Sequence, residues 1–299
     1  MPRLTRYQAL EHASPRIIEV VKDQGARVLR LLDLRIIFDE HRSGWLLPQV
    51  TRFSDFSDFL TEKGVIQAVP VKLGLRESPR FIIGSVSPAE IVISLRDQSY
   101  LTHYTALYFH ELTNNIPKTI YSNLEQTIKP SSGKASMTQR TIDLAFSRAM
   151  RMTNYIAQFK LDGEVFQGYL LNGQFQNRLG VTEIDYEKRK LPITTMERTL
   201  IDITVRPAYA GGAQEVLSAF LFAREKISVN TILATLKGMK FVYPYHQAIG
   251  FYLERAGYKE SVLKLVETLP KDFDFYLTYQ IKNTKYSERW KLYYPAELD

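Results

Sequence analysis

Residues 54–84 set an amphipathic helical run directly before two short apolar strands, an order that few folds accept. In RFSDFSDFLTEKG, Ser54 suits an N-cap and Asp55 the first turn, while Phe56, Phe59 and Leu60 recur at helical spacing. Gly64 supplies the stop, because it takes the left-handed backbone at little cost. VIQAVPV and RFIIG then read as strands joined by KLGLRESP. Upstream, Ser14 and Pro15 have the chemistry of an N-cap and a first helical residue, and Gly25 breaks that segment. The following ARVLRLLDLRIIFDEHR puts Val28, Leu31, Leu32, Ile36 and Phe38 near one helix face, and Ser43-Gly44 ends it. Helix, short turn, helix and hairpin predict a winged helix-turn-helix, whose second motif helix enters the DNA major groove.

The rest of the chain alternates differently. Pro88 opens a helix to about residue 97, a second helix covers 100–112, and IPKTIYS reads as a strand. Residues 129–139 (KPSSGKASMTQ) are the most loop-like stretch, fitting either a mobile insertion or a plain ordered loop. Strands dominate 153–194, where Asp162-Gly163 and Asn172-Gly173 favour tight hairpin turns. Thr194 and Glu197 have capping-box spacing at the head of the next helix, which Pro207 ends. Helices follow at about 212–225, 229–237, 244–256 and 260–268, then the β-like FDFYLTYQIK and WKLYYP. The expected fold is α+β: an N-terminal winged helix-turn-helix in 1–85, and in 86–299 a larger mixed α+β domain with hairpin strands and C-terminal helices. A length of 299 residues suits two domains.

The inventory of reactive groups is short. There is no cysteine, which removes disulfides, thiolate zinc sites and cysteine nucleophiles. The start carries no signal-like apolar run, and no stretch approaches the ~18 apolar residues that span a bilayer. A cytoplasmic location with no membrane partner is expected. GxxxxGK[ST], GxGxxG and GxSxG are all missing, and His110-Glu111 fails the HExxH pattern because position 114 is Asn. Asp162, Glu164, Asp185, Glu187 and Lys188 gather around hairpins, so a metal-dependent nuclease stands as a minor alternative. No catalytic residue, metal or cofactor is expected.

The net charge of +7 leans towards anionic partners, yet residues 1–85 carry only 13 Lys/Arg against 10 Asp/Glu. DNA binding must therefore rest on arrangement. The expected DNA-facing residues are Arg42, Gln49, Thr51, Arg52, Ser54, Ser57, Thr61 and Lys63, with Lys72, Arg76 and Arg80 on the wing. Asp55, Asp58 and Glu62 on the same helix oppose phosphates, which keeps open the alternative of a winged helix serving a protein partner. In the second domain Glu197, Arg198, Asp202 and Arg206 form a polar row, with Arg198 and Asp202 one turn apart.

Four runs carry a resemblance: YLTHYTALYFHELTNNIPKTIY (100–121), ITTMERTLIDITVRPAYAGGAQEVLSAF (193–220), FVYPYHQAIGFYLERAGY (241–258) and FDFYLTYQIKNTKYSERWKLYYP (273–295). Together they resemble the AbiEi-type abortive-infection antitoxins of type IV toxin–antitoxin systems. The resemblance implies a winged helix that represses its own operon by binding inverted-repeat promoter DNA, with residues 43–84 in the DNA-reading position. It further implies an antitoxin domain holding residues 193–258. The functional partner would be a nucleotidyltransferase toxin, countered without a stable complex.

Overall fold

The computed structural model describes residues 4–127 and 137–299, so most of the 129–139 stretch lies outside the described residues. The chain opens with α1 (Arg6–Lys22), β1 (Val28–Arg30), α2 (Leu31–His41) and α3 (Phe53–Glu62). Short strands β2 (Gln67–Val69), β3 (Val71–Leu73), β4 (Arg76–Glu77) and β5 (Arg80–Ile82) follow, then α4 (Pro88–Ile93), β6 (Tyr100–Leu101), α5 (His103–Phe109) and β7 (Thr119–Glu125). Next come α6 (Gln139–Phe146), β8 (Ile156–Leu161), β9 (Glu164–Gly173), β10 (Val181–Tyr186) and β11 (Arg189–Thr194). Helices α7 (Met196–Val205), α8 (Ala213–Ala223), α9 (Val229–Met239), α10 (Tyr245–Arg255) and α11 (Glu260–Glu267) precede β12 (Phe275–Tyr276), β13 (Thr284–Ser287) and β14 (Leu292–Pro295). The fold is α+β. No helix among the described residues is long and apolar enough to cross a membrane.

Two compact units divide the chain. The first runs to Asp97 and also takes in Tyr155–Gly168; the second holds Gln98–Asn154 and Tyr169–Asp299. The boundary therefore falls beyond residue 85, and a later segment returns to the first unit because β8 pairs with β3.

In the first unit β1, β5 and β2 form a three-stranded antiparallel sheet in that order, with Leu29 and Ala68 both opposite Phe81. Helix, strand, helix, helix, strand, wing and strand is the winged helix-turn-helix order. Phe38, Trp45 and Phe56 stack in its core, with centroids 5.2–5.5 Å apart. Three sequence expectations change here. α1 begins at Arg6 because Thr5 and Gln8 cap each other's backbone N–H, and Pro15 sits inside the helix. An internal proline costs ~3 kcal/mol. Burying Leu10, Ile17 and Val21 completely returns roughly 1.5–3 kcal/mol for each, so the longer helix wins. Residues 28–42 divide into β1 and α2, and α2 buries Leu34, Ile37 and Phe38 while Leu31, Leu32 and Ile36 stay exposed. Pro70 splits VIQAVPV, since it has no N–H for the ladder. β2 accordingly pairs with β5, and β3 pairs with β4 on one side and β8 on the other. The Asp162-Gly163 turn forms as expected, both residues having left-handed φ (49° and 87°).

In the second unit the strands run β10-β11-β6-β7, with the residues of β9 from Tyr169 onward beside β7. β11 meets β6 in parallel through Ile193 and Leu101, and β6 pairs antiparallel with β7. A second sheet orders β12-β14-β13. The main core gathers α7, α8 and α10 with Trp290, all of whose side chain is buried. Asn172-Gly173 is not a turn: Gly173 ends β9, its N–H donates to Asn123 Oδ1 at 2.8 Å, and a Cβ there would sit 2.6 Å from Asn123 Nδ2. Close approach, not a turn, demands that glycine. The cap of α7 is Thr195, whose hydroxyl accepts from the Arg198 N–H at 3.2 Å, and not Thr194, which closes β11 with its hydroxyl 2.7 Å from that of Thr199.

Candidate functional site

α3 forms where the sequence places it, because Phe56, Phe59 and Leu60 bury one face and Asp55 accepts the Arg52 N–H at 2.8 Å across the first turn. Its outer side carries Ser54, Ser57, Asp58 and Thr61; Ser57 is half-buried and the others are exposed. Two of the three opposing carboxylates are engaged by α1. Asp55 pairs with Arg6 at 3.3 Å, and Glu62 accepts from the Tyr7 hydroxyl, a bond that raises the Tyr7 pKa. The same contact surface ties Lys63 to Glu11 at 2.8 Å. The C-terminal half of α3 borders a shallow depression of about 480 Å³ lined by Ser57, Asp58, Thr61, Glu62, Ala68 and Phe81. Unpaired acidity thus lies at the C-terminal half, at Asp58, whereas the N-terminal end offers Arg52, Ser54 and Ser57 beside the paired Asp55.

The expected DNA contacts separate into two groups. Arg52, Lys72 and Arg76 are exposed and, among the described residues, have no carboxylate within ion-pair distance. Gln49, Ser54 and Thr61 are also exposed, though the Thr61 hydroxyl donates back to the Ser57 carbonyl at 2.9 Å. The structure corrects the other assignments. Arg80 is 4% exposed: its guanidinium donates to the Ser94 hydroxyl and carbonyl at 2.9 and 3.0 Å and to Ser78 and Pro79, and burial lowers its pKa. It anchors the base of the wing and does not reach phosphate. Thr51 is 1% exposed. Arg42 turns inward, donating to the carbonyls of Pro48, Gln49 and Thr51 and lying over the Phe38 ring at 5.0 Å. It shapes the turn before α3. The wing itself is braced, since Lys72 lies opposite Glu77 on β4 and Gln158 on β8.

The polar row of the second unit is likewise not a surface. Arg198 and Asp202 lie on the buried face of α7 and pair at 2.8 Å with side chains 5% and 9% exposed. Glu197 is half-buried and accepts the Ser228 N–H at 3.3 Å; only Arg206 is exposed. Asp202 also accepts from the Thr102 hydroxyl at 2.9 Å, and Thr102 lies 3.0 Å from His103 Nδ1. His103 is 7% exposed with a left-handed φ of 50°, and desolvation pulls its pKa down to about 4. Sequence reasoning missed this Arg198–Asp202–Thr102–His103 chain because it joins residues 100 apart. His110 and His246 serve packing, contacting the carbonyls of Thr194 and Pro270 at 2.6 and 2.8 Å. Asp162 and Glu164 lie at the β8–β9 turn and Asp185 and Glu187 at the β10–β11 hairpin. Among the described residues no three His, Asp or Glu side chains gather as a metal requires.

No protein-family model matches the chain, and no curated protein matches it either. Among solved structures, the crystal structure of the RV2827C protein from Mycobacterium tuberculosis is similar with a TM-score of 0.59 at 13% identity, covering 98% of this chain and 92% of that one. At that identity the likeness concerns the fold alone.

Proposed function

We propose that this chain is a cytoplasmic transcriptional repressor that binds inverted-repeat promoter DNA through its winged helix and acts as the antitoxin of a type IV toxin–antitoxin pair. The observation that carries the DNA reading is the trio of unpaired cations, Arg52 before α3 and Lys72 and Arg76 on the wing, set beside an α3 whose one N-terminal carboxylate, Asp55, is paired with Arg6. Of the three carboxylates that argue against groove binding, Asp55 and Glu62 already have partners on α1, and Asp58 stays exposed. The antitoxin role rests on the resemblance of residues 100–121, 193–258 and 273–295 and is countered or supported by co-expression with a neighbouring nucleotidyltransferase gene.

The test is a mobility shift of the full chain on its own upstream DNA across a salt series. Affinity should fall steeply with salt, and Arg52→Ala or Arg76→Ala should each reduce the log–log salt slope by roughly one. Arg80→Gln should leave that slope unchanged, because Arg80 faces Ser94 instead of solvent. No shift at low salt would overturn the reading. The exposed Leu31, Leu32 and Ile36 on α2 favour one second reading, a winged helix that docks a protein partner. Co-purification of a stoichiometric partner without DNA affinity would support it.

A further inference from the structure

The second unit contains a cleft of about 790 Å³, within the ~300–1,000 Å³ range of small-molecule sites. Its polar lining is organised by one chain of hydrogen bonds. The Asp202 carboxylate can only accept, taking the Arg198 Nε–H at 2.8 Å and the Thr102 hydroxyl at 2.9 Å. With its hydrogen committed to Asp202, Thr102 can only accept in its 3.0 Å contact with His103 Nδ1. His103 therefore carries its proton on Nδ1, and Nε2 keeps a lone pair with no hydrogen bond among the described residues. Desolvation, with the charges of Arg206 and Arg198 nearby and only Asp202 opposing, keeps the ring neutral. The ring lines the cleft and is held in place through Nδ1.

The rest of the lining asks for a ligand of complementary kind. Arg151 and Arg206 both line the cleft, and among the described residues neither has a carboxylate partner; Asp202, the one acidic residue of the lining, is held by Arg198. The Arg206 guanidinium lies 5.9 Å from the centre of the Tyr209 ring and donates to the Arg151 carbonyl at 3.4 Å. Gln176 Nε2 is buried without a hydrogen-bond partner among the described residues. The side chains of Tyr243, Tyr245 and Tyr279 complete the wall. Two free guanidinium groups call for an anion. A wall rich in aromatic side chains favours a planar ring beside it. A neutral imidazole acceptor calls for a hydroxyl or N–H on the ligand, which a simple carboxylate does not offer.

We propose that this cleft binds a nucleotide, with its phosphate on Arg151 and Arg206, its base against the tyrosine wall and a ribose hydroxyl or base N–H donating to His103 Nε2. The nucleotide arrives either free or as the end of an RNA strand, and both present the same groups. The inference is independent of DNA binding, since every lining residue belongs to the second unit.

Calorimetric titration of the full chain tests it, using nucleoside 5′-phosphates, the matching nucleosides, inorganic phosphate and a short oligoribonucleotide. At least one nucleotide should bind with a Kd below about 1 mM, and removing either phosphate or base should weaken binding by about tenfold or more. Arg206→Gln and Arg151→Gln should each weaken it about tenfold, with the melting temperature of the free protein little changed, because both side chains are exposed. His103→Asn, which tolerates the left-handed backbone, should erase the preference for ribonucleotides over 2′-deoxyribonucleotides or for bases bearing an N–H donor. Tighter binding of the oligoribonucleotide than of mononucleotides identifies the RNA end as the source, and the reverse identifies the free nucleotide. Absence of binding by every nucleotide and by the oligoribonucleotide, or wild-type affinity in both arginine variants, overturns the proposal.

Discussion

Asp202 shows how far burial changes the worth of a single pair. An exposed Arg–Asp pair one helical turn apart contributes ~0.3–0.5 kcal/mol. Buried beside Arg198 and Thr102, Asp202 satisfies two donors at once. Asp202→Ala should destabilise the chain by roughly 3–5 kcal/mol, read from the urea midpoint at constant slope. A loss under ~1 kcal/mol would mean that water reaches the pair. His103 supplies a pH signature at the same spot. Its folded pKa of about 4 lies below the ordinary 6.5, so between those values the unfolded chain holds a proton that the folded chain refuses. Stability is then fully present above about pH 6.5 and falls as pH drops, by roughly 3 kcal/mol once pH 4 is reached. His110 and His246, also held down by burial, push in the same direction. His103→Asn should therefore flatten the decline without abolishing it, and urea unfolding at pH 7 and pH 4.5 would register an unchanged decline as evidence that the ring is solvated.

At the scale of elements, the winged-helix order and α3 were legible because their signals are local: a Phe56–Phe59–Leu60 stripe, Gly64 with φ 64°, and the Asp162-Gly163 turn. What failed were choices that tertiary packing decides. The stripe of Leu31, Leu32 and Ile36 satisfies helical periodicity as well as Leu34, Ile37 and Phe38 do, and only the core shared with α3 and the sheet selects the second set. Thr194 and Thr195 are equally good caps by composition; the ladder that reaches Thr194 from β10 leaves the cap to Thr195. Arg80 looked like a wing cation because its ring of acceptors includes Ser94, fourteen residues away. The polar row on α7 was found as a set of residues, but its burial was not, since nothing in 193–207 announces Thr102. Glycine at 250 belongs to the same class. It lies mid-helix in α10, where a Cβ would come 2.3 Å from Trp290 Cζ3, and the Trp290 indole is fixed by its N–H donating to Glu254 at 2.8 Å. Gly250→Ala gains ~1 kcal/mol of helix propensity. Forcing the indole aside costs typically 1–3 kcal/mol and sometimes more. The net expectation is a lower melting temperature with quenched or shifted Trp290 fluorescence; a more stable variant would show that the indole moves freely.

Across the whole molecule, the first unit is not a contiguous N-terminal segment, because β3 of the wing has its second partner in β8. Val71 is fully buried opposite Phe159, and Lys72 and Leu73 pair with Gln158 and Ala157. Cutting the chain at residue 97 keeps the β1-β5-β2 sheet and the aromatic stack of Phe38, Trp45 and Phe56, which need nothing beyond Ile83. It also leaves one side of β3 as an unpaired, partly apolar edge, the feature that invites strand addition from other chains. A 1–97 fragment should therefore keep its helical circular dichroism, lose hydrogen-exchange protection over Val71–Leu73, and associate at high concentration. Joining residues 155–168 to it through a flexible linker should restore protection and the monomer, because those residues carry the β8 pairing. Exchange protection at 71–73 that is the same in the bare fragment and the full chain would show that the β4 hairpin alone suffices to hold the wing. The position of Lys72 and Arg76 would then owe nothing to the returning segment.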